Sequence, residues 1–142
     1  MKKLLIDTNI VIDLLAKRDP DYADAAQIFS LGDKRHIQLS VSALTIANTN
    51  YLLLKLKPHN EVKSILRKFK LLVDVLSLDD KIINLALNDT DFKDFEDGLQ
   101  YFSAIENDQD IIITRNLKDY KNSKIPAMTA EQFLKSYKME GI

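Results

Sequence analysis

Five short runs rich in apolar residues, most of them separated by helix-length segments, restrict this chain more than any other feature. They are Lys3–Ile6, Ile37–Val41, Leu71–Leu76, the strongly β-branched Ile111–Thr114, and a weaker run at Lys124–Met128. Runs of four to six residues suit strands and are too short for buried helices. Strands that alternate with helices predict an α/β domain around a parallel sheet.

The segments between them carry helix signals. Thr8 or Asn9 is placed to cap a helix through Ala16, and Asp19-Pro20 opens a second that Gly32 ends. Ser42 caps a helix from about Ala43 to Lys57, stopped by Pro58, and Asn60 caps the next. Asp79 or Asp80 starts a helix through Leu87, followed by a polar, acidic loop from Asn88 to Phe95 and a helix to about Asn107. Thr129 caps a last helix, with Glu131 nearby. No linker, repeat or low-complexity tract interrupts the 142 residues, so a single domain over residues 1–142 is expected.

Composition removes several classes of function. With no cysteine there is no disulfide, thiolate metal site or thiol nucleophile. Gly32, Gly98 and Gly141 are the only glycines, too few and too scattered for a dinucleotide fingerprint or a P-loop. His36 and His59 lie in polar, loop-like contexts and support neither a histidine metal site nor Ser-His-Asp chemistry. Twenty basic residues against 21 acidic ones argue against a protein that coats nucleic acid by bulk charge, but not against a nuclease. The start, Met1 to Ile6, begins like an export signal. Asp7 and Asp13 interrupt the apolar run and no small-residue cleavage site follows, so neither an export signal nor a membrane span is expected.

In parallel α/β sheets, function collects at the carboxyl ends of strands. Asp7 directly follows the first strand. Asp94 and Asp97, three apart at a helix start, can face one way. Thr114, Asn116 and Asp119 follow the β-branched strand. Carboxylates converging there would form a hard-oxygen site suited to Mg²⁺ or Mn²⁺. Each also has a plainer reading. Asp7 serves as a helix cap, Asp94 and Asp97 as a solvated helix start, and the Thr114 segment as a simple turn. Gly98, inside a helix, suggests a close backbone approach. Arg115, beside the strand end, is the best placed side chain for an RNA phosphate. The basic stretch from Lys55 to Lys70 offers a second, weaker RNA-binding surface and equally suits a solvated helix face.

Four segments together resemble PIN-domain proteins of the VapC type, the toxins of bacterial and archaeal toxin–antitoxin pairs. They are Leu5-Ile6-Asp7-Thr8-Asn9 with Val11 to Leu15; Ser42-Ala43-Leu44-Thr45; Asp94 to Gln100; and Thr114 to Tyr120. The tail from Ile125-Pro126 to Leu134 also matches, so the ordered set covers essentially the whole chain. The resemblance implies a three-layer α/β/α domain with a mostly parallel sheet of four to five strands. It implies a cytoplasmic, metal-dependent endoribonuclease using water activated by Mg²⁺ or Mn²⁺, with an antitoxin partner and a homodimeric state. The helices around Leu52, Leu53 and Leu56 are candidates for the dimer face.

On this resemblance Asp7 and Asp97 fall on the first and third acidic positions, with Asp94 just before the latter, and Asp119 falls in the polar terminal motif; Asp7, Asp97 and Asp119 are expected to hold the metal, with Asp94 and Asn48 assisting. Thr8 and Asn9 fall on positions that order the first loop, and Thr114 and Asn116 on the polar terminal motif. The chain departs from the pattern at Asn48, where family members commonly place a glutamate. An asparagine offers an amide oxygen without charge. The alternative function it raises is a catalytically weak module that binds RNA or protein.

Overall fold

The computed structural model describes residues 1–140. Strands β1 (Lys3–Ile6), β2 (Gln38–Ser42), β3 (Asp74–Leu76), β4 (Ile111–Ile113) and β5 (Ala127–Met128) form one sheet in the order β3-β2-β1-β4-β5. Every pairing is parallel. Helices α1 (Thr8–Leu15), α2 (Tyr22–Asp33), α3 (Ala43–Leu53), α4 (His59–Phe69), α5 (Asp80–Asn88), α6 (Phe95–Glu106) and α7 (Ala130–Met139) connect or follow the strands. A single 3₁₀ turn covers Leu117–Tyr120.

The central strands are buried on both faces, as a parallel sheet requires. On one face Leu4, Ile6, Leu39, Val41, Ile111 and Ile113 pack with Ile10 and Val11 of α1, Ile28 and Phe29 of α2, and Phe133 and Leu134 of α7. On the other, Leu5 and Ile112 pack with Tyr101 and Ala104 of α6, Phe92 and Tyr120. These are the outer layers of a three-layer α/β/α sandwich. The strand order reverses between β1 and β4, so a crevice opens at their carboxyl ends, where Asp7 and Thr114 lie.

Local physics moves several boundaries from their sequence expectation. Asp7, not Thr8 or Asn9, is the N-cap of α1, its side chain accepting from the Thr8 amide. Helix α2 starts after Asp21 and runs through Gly32 to Asp33. Helix α3 stops at Leu53, with turns carrying the chain on to Pro58. Pro58 replaces Asn60 as the N-cap of α4, its carbonyl accepting from the Val62 amide. Leu71 and Leu72 donate back to Lys68 and Phe69 as the end of α4 unwinds, so β3 begins only at Asp74. The last strand shrinks to two residues. Thr129 closes a capping box with Gln132 rather than Glu131, which pairs with Lys135. Ser42 and Asp79 cap as expected.

Gly98 lies where α6 meets α5. A methyl there would sit 3.4 Å from Ala86 Cβ, an ordinary contact, so the approach is close without demanding glycine. No helix among the described residues is long and apolar enough to cross a membrane.

Candidate active site

The crevice is a cleft of about 510 Å³ lined by Asp7, Asn9, Asn48, Glu96, Asp97 and Gln100, with Arg18, Tyr51, Arg115 and Asn116 among the residues around them. Asp7 anchors it. Its amide donates to the Ile113 carbonyl at 2.9 Å, extending the β1–β4 ladder by one rung. Both carboxylate oxygens are then oriented. Oδ1 accepts from the Thr8 amide at 2.8 Å and from Gln100 Nε2 at 3.3 Å, while Oδ2 accepts from Thr114 Oγ1 at 2.8 Å. Burial nevertheless pushes the Asp7 carboxyl above its ordinary range, against the lowering effect of these donors.

Asp97 enters from the first turn of α6. Its amide donates to Asp94 Oδ1 at 3.1 Å, making Asp94 the helix cap. The Asp97 carboxyl is pushed up to about 6, first by burial and then by repulsion from Asp94, Asp119, Asp7 and Glu96. Asp97 also lines a second hollow of about 340 Å³ with Asp94, Lys118 and Asp119. Thus Asp7, Asn48 and Asp97 line the main cleft, and Asp94 and Asp119 line the second hollow with Asp97, where the Asp119 charge acts on both Asp7 and Asp97. Among the described residues no three acidic or histidine side chains form a ready metal-holding group.

The remaining expected residues divide between cleft and scaffold. Thr8 Oγ1 lies 3.0 Å from Thr45 Oγ1, and Asn9 Oδ1 accepts from the Arg115 amide at 3.4 Å, so both tie the first loop to its neighbours. Thr114 is buried and its Oγ1 also accepts from the Asn116 amide at 3.0 Å, shaping the turn that carries Asn116 into the cleft. Arg115 lines the cleft but is ion-paired with Asp13 and Asp21. The basic stretch is placed apart. Lys63, Arg67 and Lys70 rim an apolar hollow with Ile46, Leu66 and Val75, which shares no lining residue with the acidic cleft. Of the candidate dimer-face leucines, Leu53 belongs to the core with Ile12 and Val62, Leu52 lines the cleft, and Leu56 is exposed.

Comparison with known proteins fits this geometry. The family model described as PIN domain matches residues 3–118, most of the chain and all but one of the residues just placed. The chain belongs to the PIN-domain family. Ribonuclease VapC1 of Aquifex aeolicus is 25% identical over 135 residues, covering 93% of each chain. Several solved structures share the fold. A toxin–antitoxin complex from Klebsiella pneumoniae has a TM-score of 0.67 at 22% identity, covering 89% of this chain and 97% of that one. The DNA-bound VapBC of Salmonella typhimurium has a TM-score of 0.68 at 16% identity, covering 92% and 99%.

Within this PIN domain, Gln100 is a residue whose part was not evident from the sequence. It is 4% exposed, its Nε2 donates to Thr45 Oγ1 at 2.8 Å, and its Oε1 accepts from Ser42 Oγ at 2.5 Å. Together with Asp7 this joins the ends of β1 and β2 to α3 and α6. A polar residue on the buried side of α6 was the available signal, but its partners lie more than fifty positions away.

Proposed function

We propose that this PIN domain is a metal-dependent endoribonuclease of the VapC type, the toxin of a toxin–antitoxin pair, working as a single domain. The observation that carries the reading is the oriented Asp7 carboxylate sharing with Asp97 a cleft at the topological switch point. The donor set suits a hard divalent cation. It is all oxygen, with Asp7, Asp97 and Asp119 supplying charge and Asn48 an amide oxygen. The upward push on Asp97 is a repulsion that a bound cation would relieve.

Mg²⁺ or Mn²⁺ held there would activate water and offset charge developing on the phosphodiester. The protein's own contribution is orientation. Thr114, Gln100 and the Thr8 amide fix the Asp7 carboxylate, as hydrogen-bonding partners of metal ligands generally do. Asp94 caps the helix that presents Asp97, and Asn116 lines the cleft beside Thr114. Arg115 is the side chain nearest at hand for a substrate phosphate. The relatives support an antitoxin partner, since several solved structures of this fold are toxin–antitoxin complexes. A cytoplasmic homodimer is part of the same reading.

Purified protein should cleave RNA with Mn²⁺ and stop when EDTA removes it. The rival reading, a weak binding module, draws on Asn48, which lines the cleft where the family commonly has glutamate. Asn48→Glu adds a charged ligand beside Asp7 and Asp97 and should tighten Mn²⁺ binding by roughly tenfold in calorimetry. Unchanged affinity would remove Asn48 from the donor set. Absence of cleavage by the unmodified protein, with cleavage gained by Asn48→Glu, would favour the rival.

A further inference from the structure

Outside the acidic centre, one buried carboxylate has no part in the chemistry above. Asp13, near the end of α1, is 1% exposed. Nε and Nη2 of Arg18 lie 3.2 and 3.1 Å from its Oδ1, and Nε of Arg115 lies 3.1 Å from its Oδ2. The second contact is an ion pair without hydrogen-bond alignment. Both arginines line the acidic cleft, and both side chains stay exposed, 47% for Arg18 and 39% for Arg115. The backbone is bent to bring this about. After α1, Lys17 adopts a left-handed φ of 52° and donates to Leu14, while the Arg18 amide donates to the Asp13 carbonyl at 3.1 Å. This is a Schellman ending with lysine where glycine is the usual residue. It turns Arg18 back over the side chain of Asp13.

We propose that Asp13 is a positioning residue that holds Arg18 and Arg115 as a two-guanidinium clamp for an RNA backbone phosphate at the mouth of the cleft. The inference rests on the ribonuclease reading and deepens it. Asp7, Glu96 and Asp97 give the cleft a negative lining that repels a polyanion. A strand can settle there only if fixed cations meet it at the rim. Asp13 engages the Nε edge of both guanidiniums. No partner is found among the described residues for Nη1 of Arg18 or Nη2 of Arg115. The other acid in the cluster is Asp21, 3.3 Å from Nη1 of Arg115. That pair is half exposed, so water and salt screen it and a phosphate can displace it. Arginine is suited to the task because its planar fork keeps donors free after one edge is engaged.

The test is binding of a fluorescent single-stranded oligoribonucleotide to the full chain in EDTA, followed by anisotropy across a salt series. Asp13→Asn should weaken binding by about tenfold, and the log–log salt slope should become shallower by about one. Arg18→Ala should do the same, and combining the two should add little, because they disable one clamp. Mn²⁺ affinity measured by calorimetry should stay at the parent value, and in the cleavage assay KM should rise while kcat holds. A purely structural role would lower the melting temperature without moving the salt slope. Folded Asp13→Asn with parent affinity and slope overturns the clamp while leaving the ribonuclease reading intact. If Asp13→Asn does not fold, Arg18→Ala decides, and parent-like binding by it overturns the clamp. A parent protein that neither binds nor cleaves RNA overturns both.

Discussion

Asp97→Asn should cut Mn²⁺-supported RNA cleavage by about a thousandfold, the loss of roughly 4 kcal/mol of transition-state stabilisation, and should also make the cation-free protein more stable at neutral pH. The two effects have one cause. Burial and four neighbouring carboxylates push the folded Asp97 carboxyl up to about 6, against an ordinary 3.8. The folded protein therefore binds more protons than the unfolded chain between those values. The stability this confers is fully present below pH 3.8 and is lost as pH rises through about 6. At about pH 7.5 the charged side chain is a burden that asparagine lacks, so in EDTA the variant should melt higher there, with the advantage fading at about pH 4. Mn²⁺ should raise the melting temperature of the parent and much less that of Asp97→Asn. Asp7→Asn should lose cleavage to a similar extent. Undiminished cleavage by both variants would end the metal-site reading, and a lower melting point for Asp97→Asn in EDTA would mean that its repulsions are misjudged.

The second large effect should come from Gln100→Leu, a change of little volume in a buried residue at the floor of the cleft. Leucine would remove one hydrogen bond from each of the Ser42 and Thr45 hydroxyls, which keep each other and Thr8 as partners, and strip one donor from Asp7. Each of these three hydrogen bonds contributes about 1 kcal/mol, so a loss of about 3 kcal/mol and a fall of roughly 10 °C in melting temperature are expected. Cleavage should fall as well, because Asp7 would lose one of the bonds that orient it. Thermal melts and initial rates check both, and a shift under about 2 °C would show that the network contributes little to stability.

The contrast between Asp7 and Gln100 shows what the sequence discloses. Asp7 was legible because it ends an apolar run, and strand ends in a parallel sheet are where sites form. Thr114 was legible for the same reason, and Ile111–Ile113 as a strand buried on both faces. Asn48 was found through the family resemblance, and it does line the cleft. Gln100 was legible only as part of a helix, since its role depends on Ser42 and Thr45, brought to it by two crossovers. Arg115 is legible beside the site, but Arg18, which joins it on Asp13, is brought there by a backbone turn at Lys17 that a lysine does not advertise. The boundary of β3 failed for a related reason. Leu71 looks like strand interior, yet it is 86% exposed, part of the unwinding end of α4.

The rung that Asp7 donates to Ile113 gives the cleft two walls of unequal stiffness. On one side the acidic anchor is continuous with the central ladder, so that amide can exchange its proton with solvent only when β1 and β4 part. Next to it Asn116 to Asp119, ahead of the buried Tyr120, is held by one 3₁₀ turn, with the Asp119 amide on the Asn116 carbonyl and the Asn116 amide on a side-chain hydroxyl. Such a turn opens locally, well below the free energy of global unfolding. On the ribonuclease reading, a strand entering the cleft would meet a stiffer wall at Asp7 than at Asn116.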